Sequence, residues 1–262
     1  MTIQIKSAED IETMRKSCRL AAQVLVYIEP FVKPGVSTLE LDRLCHEYIV
    51  GHGAYPSPLD YNGYPKSICT SINHVVCHGI PDEKTFLKEG DIVNLDVTTY
   101  LDGFHGDNSK TYFVGKCSRA ARDLVTAAEE ALWRGIRAVR PNGYVGDIGE
   151  AVQSYVEGLG YSVVREYCGH GIGRGFHEDP HIVHVGKKGT GPRLKPGMTF
   201  TVEPMVNQGS KEVVLLDDEW TVETKDQKLS AQFEHTIALF EDRVEILTLP
   251  EGSSIDPIVW RL

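Results

Sequence analysis

The sequence predicts an α+β chain built as two related halves, and three observations carry that reading. Four amphipathic helical segments fall into two similar pairs: KPGVSTLELD, leading into Tyr48-Ile49-Val50, is repeated in outline by RPNGYVGDIGEA, leading into Tyr155-Val156, about 107 residues later. Each pair is followed by strand-like segments, Ile92 to Phe113 in the first half and Thr199 to Phe240 in the second. A weak repeat of so long a period implies two copies of one unit packed face to face. No linker or low-complexity run divides them, so residues 1–262 read as one domain with halves of about 1–117 and 118–262.

In chain order, Ser7-Ala8-Glu9-Asp10 is a capping-box-like start. Ile11, Met14, Cys18, Ala21, Leu25 and Ile28 then recur at helical spacing, up to a stop near Pro30. Ser37-Thr38-Leu39-Glu40 opens a second helix with Leu41, Leu44, Cys45 and Tyr48 inward, ended by Gly51-His52-Gly53. Ser118 precedes a third, carrying Leu124, Val125, Ala128, Leu132, Ile136 and Val139 and closed by Pro141, and a fourth spans about Asp147 to Leu159. DIVNLDVTTYLDGFHGDNSKTYFVG reads as a β-hairpin turning at Asp102-Gly103.

Composition narrows the function. With 41% hydrophobic and 24% charged residues this is an ordinary globular mix. A net charge of -10 disfavours nonspecific nucleic-acid binding, which needs a basic face to displace counterions. MTIQIKSAED lacks the apolar core of a targeting signal, and no run is long enough to span a bilayer. The six cysteines (Cys18, Cys45, Cys69, Cys77, Cys117, Cys168) form no C-x-x-C pair, and Cys18 and Cys45 sit on apolar stripes. A reduced, cytoplasmic setting is the expectation.

One motif invites a wrong turn. His177-Glu178-Asp179-Pro180-His181 matches H-E-x-x-H, which in a zincin sets two histidines one helical turn apart. Here the run-in has glycine at positions 169, 171, 173 and 175, and Pro180 restrains Asp179 toward extended backbone. The zincin reading fails on context. A dinucleotide-binding reading of the same glycines fails because Arg174 stands where the last glycine belongs. Taken alone, His170 reads as a solvated histidine on a flexible loop.

The acids are more informative. A two-residue loop at Asp102-Gly103 pairs Asp96 with Ser109 and leaves Asp107 diagonal to Asp96; a loop one residue earlier sets the two directly opposite. Either register puts both carboxylates on one face, whereas a three-residue loop separates them unless a bulge restores parity. Taken alone, one of the two could face solvent or pair with Lys110. Glu203, ending a short strand before Pro204, and Glu234, inside SAQFEHTIALF, are two further acids in apolar runs. Four carboxylates and one imidazole, His170, suit two divalent cations, and oxygen-rich ligation fits manganese, iron, cobalt or zinc. Two-metal hydrolytic sites hold their ions roughly 3.5–4 Å apart.

YPKSICTSINHVVCHGIPD, NLDVTTYLDGFHGDNSKT, GHGIGRGFHEDPHIVH, GMTFTVEPM and WTVETKDQKLSAQFEHT together resemble the type I methionine aminopeptidases, over most of the chain and in the family's order. The resemblance implies the pita-bread fold, two pseudo-symmetric halves with a curved antiparallel sheet backed by helices around a dinuclear metal centre. It implies Asp96, Asp107, His170, Glu203 and Glu234 as metal ligands, with Asp107 and Glu234 shared by both ions and Glu203 also the base toward the attacking water. His78 and His177 would contact the scissile amide or its oxyanion. Tyr61, Tyr64, Cys69, Phe176 and Trp220 would wall a pocket for one thioether, and Pro58 stands where many relatives carry cysteine, at the pocket's edge. A structural sodium or potassium ion near Asn73, Val75 and Ser230 is implied as well.

The implied activity is removal of the initiator methionine from nascent chains with a small second residue, by a minimal monomeric enzyme in transient contact with the ribosome. Two other readings share parts of this pattern. A prolidase or aminopeptidase P relative shares the metal set but usually carries an additional N-terminal domain. A non-catalytic pita-bread protein that binds a partner or RNA typically loses ligands, and all five are present here.

Overall fold

The computed structural model describes residues 3–261. Four α-helices form where the apolar stripes lie. Helix α1 is Ala8–Ile28, and its capping box is complete: Ser7 Oγ accepts from Asp10 N, and Asp10 accepts from Ser7 N. A 3-10 turn, Glu29–Phe31, absorbs Pro30 at its start. Helices α2 (Thr38–Gly51) and α3 (Arg119–Ala138) are capped by Ser37 and Ser118, as read. Helix α4 is Val145–Gly158, beginning two residues before the expected Asp147. Asp147 is the third residue of its first turn, where its carboxylate reaches back to accept from Tyr144 N at 2.9 Å. An acid there is stabilised by the unpaired amides of the helix start.

The strands form a ten-stranded antiparallel sheet and two three-stranded ones. The main path runs Tyr55–Pro56, Ile92–Leu101, Phe104–Phe113, Glu234–Leu239, Thr199–Val202, Gly169–Gly171, Glu178–Ile182. Its centre is the seam between the two halves, where Glu234 pairs with Ser109 and His235 with Asn108. Two strands beyond Phe240, Arg243–Ile246 and Ile258–Arg261, extend the sheet and were not apparent from the sequence.

Each half has its own apolar core. In the first, Leu25, Leu41, Cys45 and Ile49 of α1 and α2 pack on Val93, Leu95 and Val97. In the second, Leu124, Leu132 and Ile136 of α3 and Val152 of α4 pack on Phe200, Val202 and Ile237. Helix α1 also crosses the seam, where Met14 and Cys18 meet Phe104 and Ala238. It approaches so closely that a Cβ at Gly106 would lie 2.4 Å from Cys18 N. The helices thus cover the outer face of the sheet and leave its inner face to the polar residues described next.

Candidate metal centre

The hairpin takes the first of the two registers. Asp102 (φ 52°) and Gly103 (φ 85°) form the two-residue turn, Leu101 faces Phe104, Asp96 pairs with Ser109, and Thr98 pairs with Asp107. Side chains two apart on a strand share a face, so Asp96 and Asp107 point the same way. Because Glu234 also pairs with Ser109, it stands in line with Asp96 across three strands. Glu203 directly follows the strand Thr199–Val202, whose Val202 pairs with His235 beside Glu234. His170 is not on a solvated loop: it sits in the strand Gly169–Gly171 and is buried. Lys110 pairs with Glu29 at 2.8 Å, on the other side of the sheet from Asp96 and Asp107.

These five side chains converge. Ligand atoms of Asp107, His170 and Glu234 lie within 4.8 Å of one another. His170 Nε2 is 3.6 Å from Asp107 Oδ2 and 3.7 Å from Glu203 Oε1. Asp96 lies against Asp107, and Glu234 against Glu203.

Neighbouring groups fix each of them. Thr98 Oγ1 donates to Asp107 Oδ1 at 2.7 Å. Thr201 Oγ1 donates to Glu203 Oε1 at 2.7 Å and accepts from His170 N at 2.9 Å. Gln232 Nε2 donates to Glu203 Oε2 at 3.3 Å, and buried His184 Nε2 accepts from Glu203 N at 3.0 Å. The His170 ring meets Gly171 O through Nδ1 at 2.9 Å, which assigns the proton to Nδ1 and leaves the Nε2 lone pair facing the carboxylates. None of these supporting residues was singled out in the sequence, yet a signal was present. Thr98, Thr201 and Gln232 each stand two residues from an acid already marked, and Thr98 shares a strand face with Asp96. His184 has no such signature, because it arrives from the loop after Glu178–Ile182.

Electrostatics give the donor set its meaning. Burial, reinforced by the neighbouring carboxylates, pushes Asp96 and Glu234 well above the usual carboxylate range. Burial also raises Glu203, to about 7. Burial pulls His170 down, but the adjacent Asp107 and Glu203 outweigh it and the net shift is upward. Glu234 Oε1 is buried without a hydrogen-bond partner. Four carboxylates gathered in a low-dielectric space with one orphaned oxygen and one free imidazole lone pair lack a counter-charge. Divalent cations fit that set in both charge and ligand type.

The centre opens into a cavity of about 500 Å³ lined by Pro58, Tyr61, Tyr64, Cys69, Phe176 and Trp220, with His78 and His177 at its edge. These include every residue expected as a pocket wall. Phe176 is held between the Tyr61 ring at 4.9 Å and the stacked His105 ring at 5.4 Å. Tyr61 Oη bonds His177 Nδ1 at 2.9 Å. Burial lowers His177 to about 3 and His78 to about 4, so both are neutral imidazoles near neutral pH. His78 has left-handed backbone (φ 57°), and Gly79 beside it packs so tightly that a Cβ would meet Thr70 O at 2.2 Å. Glu178, Asp179 and His181 of the H-E-x-x-H match also line the cavity, in a strand and not a helix, so the zincin geometry is absent. Away from the cavity floor, Ser230 N donates to Asn73 O at 2.8 Å, with Val75 two residues on.

Comparison with known proteins agrees with this geometry. Residues 12–241 match the model of metallopeptidase family M24. The chain is 56% identical to methionine aminopeptidase of Escherichia coli over 260 residues, covering 99% of this chain and 98% of that one. The crystal structure of methionine aminopeptidase from Rickettsia prowazekii superposes with a TM-score of 0.93 at 53% identity, covering 95% of this chain and all (100%) of that one. A prolidase from Pyrococcus furiosus gives 0.73 at 21% identity, covering 94% of this chain and 66% of that one, a likeness of fold alone. With a shared pita-bread fold and more than half of its residues identical over nearly its whole length, the chain belongs to metallopeptidase family M24, among the methionine aminopeptidases.

Proposed function

We propose that the chain removes the initiator methionine from peptides and nascent polypeptides with a small second residue, by metal-assisted hydrolysis. The observation that carries this reading is the convergence of Asp96, Asp107, His170, Glu203 and Glu234 beside a mainly apolar cavity of about 500 Å³. Those five residues would hold two divalent ions, drawn from cobalt, manganese, iron or zinc, which when bound lower the pKa of a water and polarise the scissile carbonyl.

The chain's own groups supply the rest. Glu203, buried and fixed at both oxygens by Thr201 and Gln232, takes the proton from the attacking water and holds it for the leaving amine. His78 and His177, neutral imidazoles at the cavity edge, each carry an N–H to offer to the carbonyl oxygen as negative charge builds there. The Tyr61 hydroxyl on His177 Nδ1 lets Nε2 carry that proton. Tyr64, Cys69, Phe176 and Trp220 seat the unbranched thioether and keep bulk water away from it. The same reading makes Asn73, Val75 and Ser230 a structural sodium or potassium site and the chain a cytoplasmic monomer in transient contact with the ribosome.

The test is a metal-dependent peptide panel. With manganese or cobalt added, the purified chain releases methionine from Met-Ala-Ser and leaves N-acetylated Met-Ala-Ser intact. Equal cleavage of an Ala-Pro peptide would favour prolidase-type activity instead, and no metal-dependent cleavage of any peptide would overturn the reading.

A further inference from the structure

The loop that carries Phe176 and His177 is poor at holding itself. Residues 173 and 175 are both glycine, so this short loop after the strand Gly169–Gly171 has a large backbone entropy to lose. Yet it must present two rings to the cavity in fixed positions. Rings of Tyr61 and His105 hold Phe176 and His177 at the cavity, and a further hold comes from the segment preceding α1. Lys6 is buried, and its Nζ forms an ion pair with Glu178 Oε2. The other oxygen, Glu178 Oε1, accepts from Gly175 N at 2.8 Å, one residue before Phe176. The Lys6 stem lies against Gly173, where a Cβ would come within 2.3 Å of Lys6 Cε. Lys6 itself is anchored through its backbone N to Gly197 O at 2.7 Å. Outside this buried contact, Arg174 reaches Asp10 of α1 at 2.9 Å.

We propose that Lys6 is a positioning residue for the reaction. Through Glu178 it clamps the glycine-rich loop and so sets Phe176 against the substrate side chain and His177 against the scissile carbonyl. This rests on the reading of His177 and Phe176 given above. The four acids of the metal centre lie on other strands or at the end of one, and His170 is held in its own strand by Thr201 and Gly171, so the clamp acts chiefly on substrate geometry.

Lys6→Met tests it, because methionine keeps an unbranched stem on Gly173 and removes the charge. Misplacing reacting groups by about 1 Å lowers rates by ~100-fold, and Lys6→Met is expected to lower kcat/KM for Met-Ala-Ser by ~10- to 100-fold. Manganese binding measured by calorimetry should keep its stoichiometry and affinity, and amide hydrogen exchange should speed up at residues 173–177. Lys6→Met leaves Glu178 as a lone buried charge. The double variant Lys6→Met/Glu178→Gln removes that charge while the new carboxamide oxygen can still accept from Gly175 N, so the double variant should recover folding and part of kcat/KM. Unchanged kcat/KM in Lys6→Met would overturn the proposal. So would a loss of manganese binding equal to the loss of activity in the well-folded double variant. Failure of the underlying functional reading is distinguishable, since it would appear in the unaltered chain as no metal-dependent release of methionine.

Discussion

Thr201 serves two partners with one hydroxyl, donating to Glu203 Oε1 and accepting from His170 N. Thr201→Val preserves shape and removes both bonds. Losing such an outer contact typically reduces metal affinity or activity by about 10–100-fold, and metal titration followed by peptide kinetics should find a loss in that range with little change in far-UV circular dichroism. Glu203→Gln goes further, removing the proton acceptor itself. Turnover should fall by on the order of 10²–10⁴-fold, as for loss of a general base, while thermal unfolding of the chain remains cooperative. Residual activity within a few-fold of the parent would take Glu203 out of the proton-transfer role. At this scale the sequence was legible only in company. Asp96, Asp107, Glu203 and Glu234 each admit a solvent-facing account when read singly, and His170 among glycines reads as exposed. Only their combination demanded a common cation. Of the groups that orient them, Thr98 follows the two-residue period of the strand it shares with Asp96, Thr201 and Gln232 stand two residues before Glu203 and Glu234, and His184 arrives from a loop so that its contact depends on tertiary placement.

Among elements, the helices and the central hairpin were legible because their signals are local. Ser7, Ser37 and Ser118 each cap a helix by accepting from the third residue on, and Asp102-Gly103 supplies two left-handed residues for the turn. The strands Arg243–Ile246 and Ile258–Arg261 were missed because short runs at the sheet's end carry no strong alternation and form by pairing with one another and with Glu234–Leu239. Equally silent in the sequence was how α1 lies on the hairpin. Gly106 is in the strand Phe104–Phe113, and a Cβ there would lie 2.4 Å from Cys18 N and 2.6 Å from Ser17 C, all backbone atoms of α1. Neither side can yield without moving the helix off the sheet. Gly106→Ala should therefore destabilise the chain by about 3 kcal/mol, the upper end of ordinary overpacking, as read by urea denaturation. A loss below about 0.5 kcal/mol, the usual size of surface changes, would show that α1 is free to shift.

For the whole molecule, the seam where Glu234 meets Ser109 brings acids of both halves into one buried space, and this makes stability depend on what neutralises them. Consider the chain stripped of divalent ions. Burial holds His78, His105, His177, His184 and His235 well below their ordinary value, to between about 3 and about 4. The unfolded chain takes up protons at these positions as pH falls below about 6.5, so acid removes stability there. Only from about one pH unit above that value are those histidines neutral in both states, and there they contribute no slope. The remaining shifted groups at the centre act in the other direction. Asp96, Glu234 and Glu203 have raised folded values, with Glu203 at about 7, and His170 is raised as well. A raised folded value means the native state holds protons that the unfolded state has released, so stability is lost as pH rises through it. The chelator-treated chain should accordingly show a falling thermal midpoint between about pH 7.5 and 8.5, where the histidine contribution has ended. With saturating manganese the carboxylates are ionised and paired, native and unfolded proton counts match more closely at the centre, and that decline should flatten. A metal-free midpoint that rises across this interval would mean that the acids of the two halves do not share a dry site.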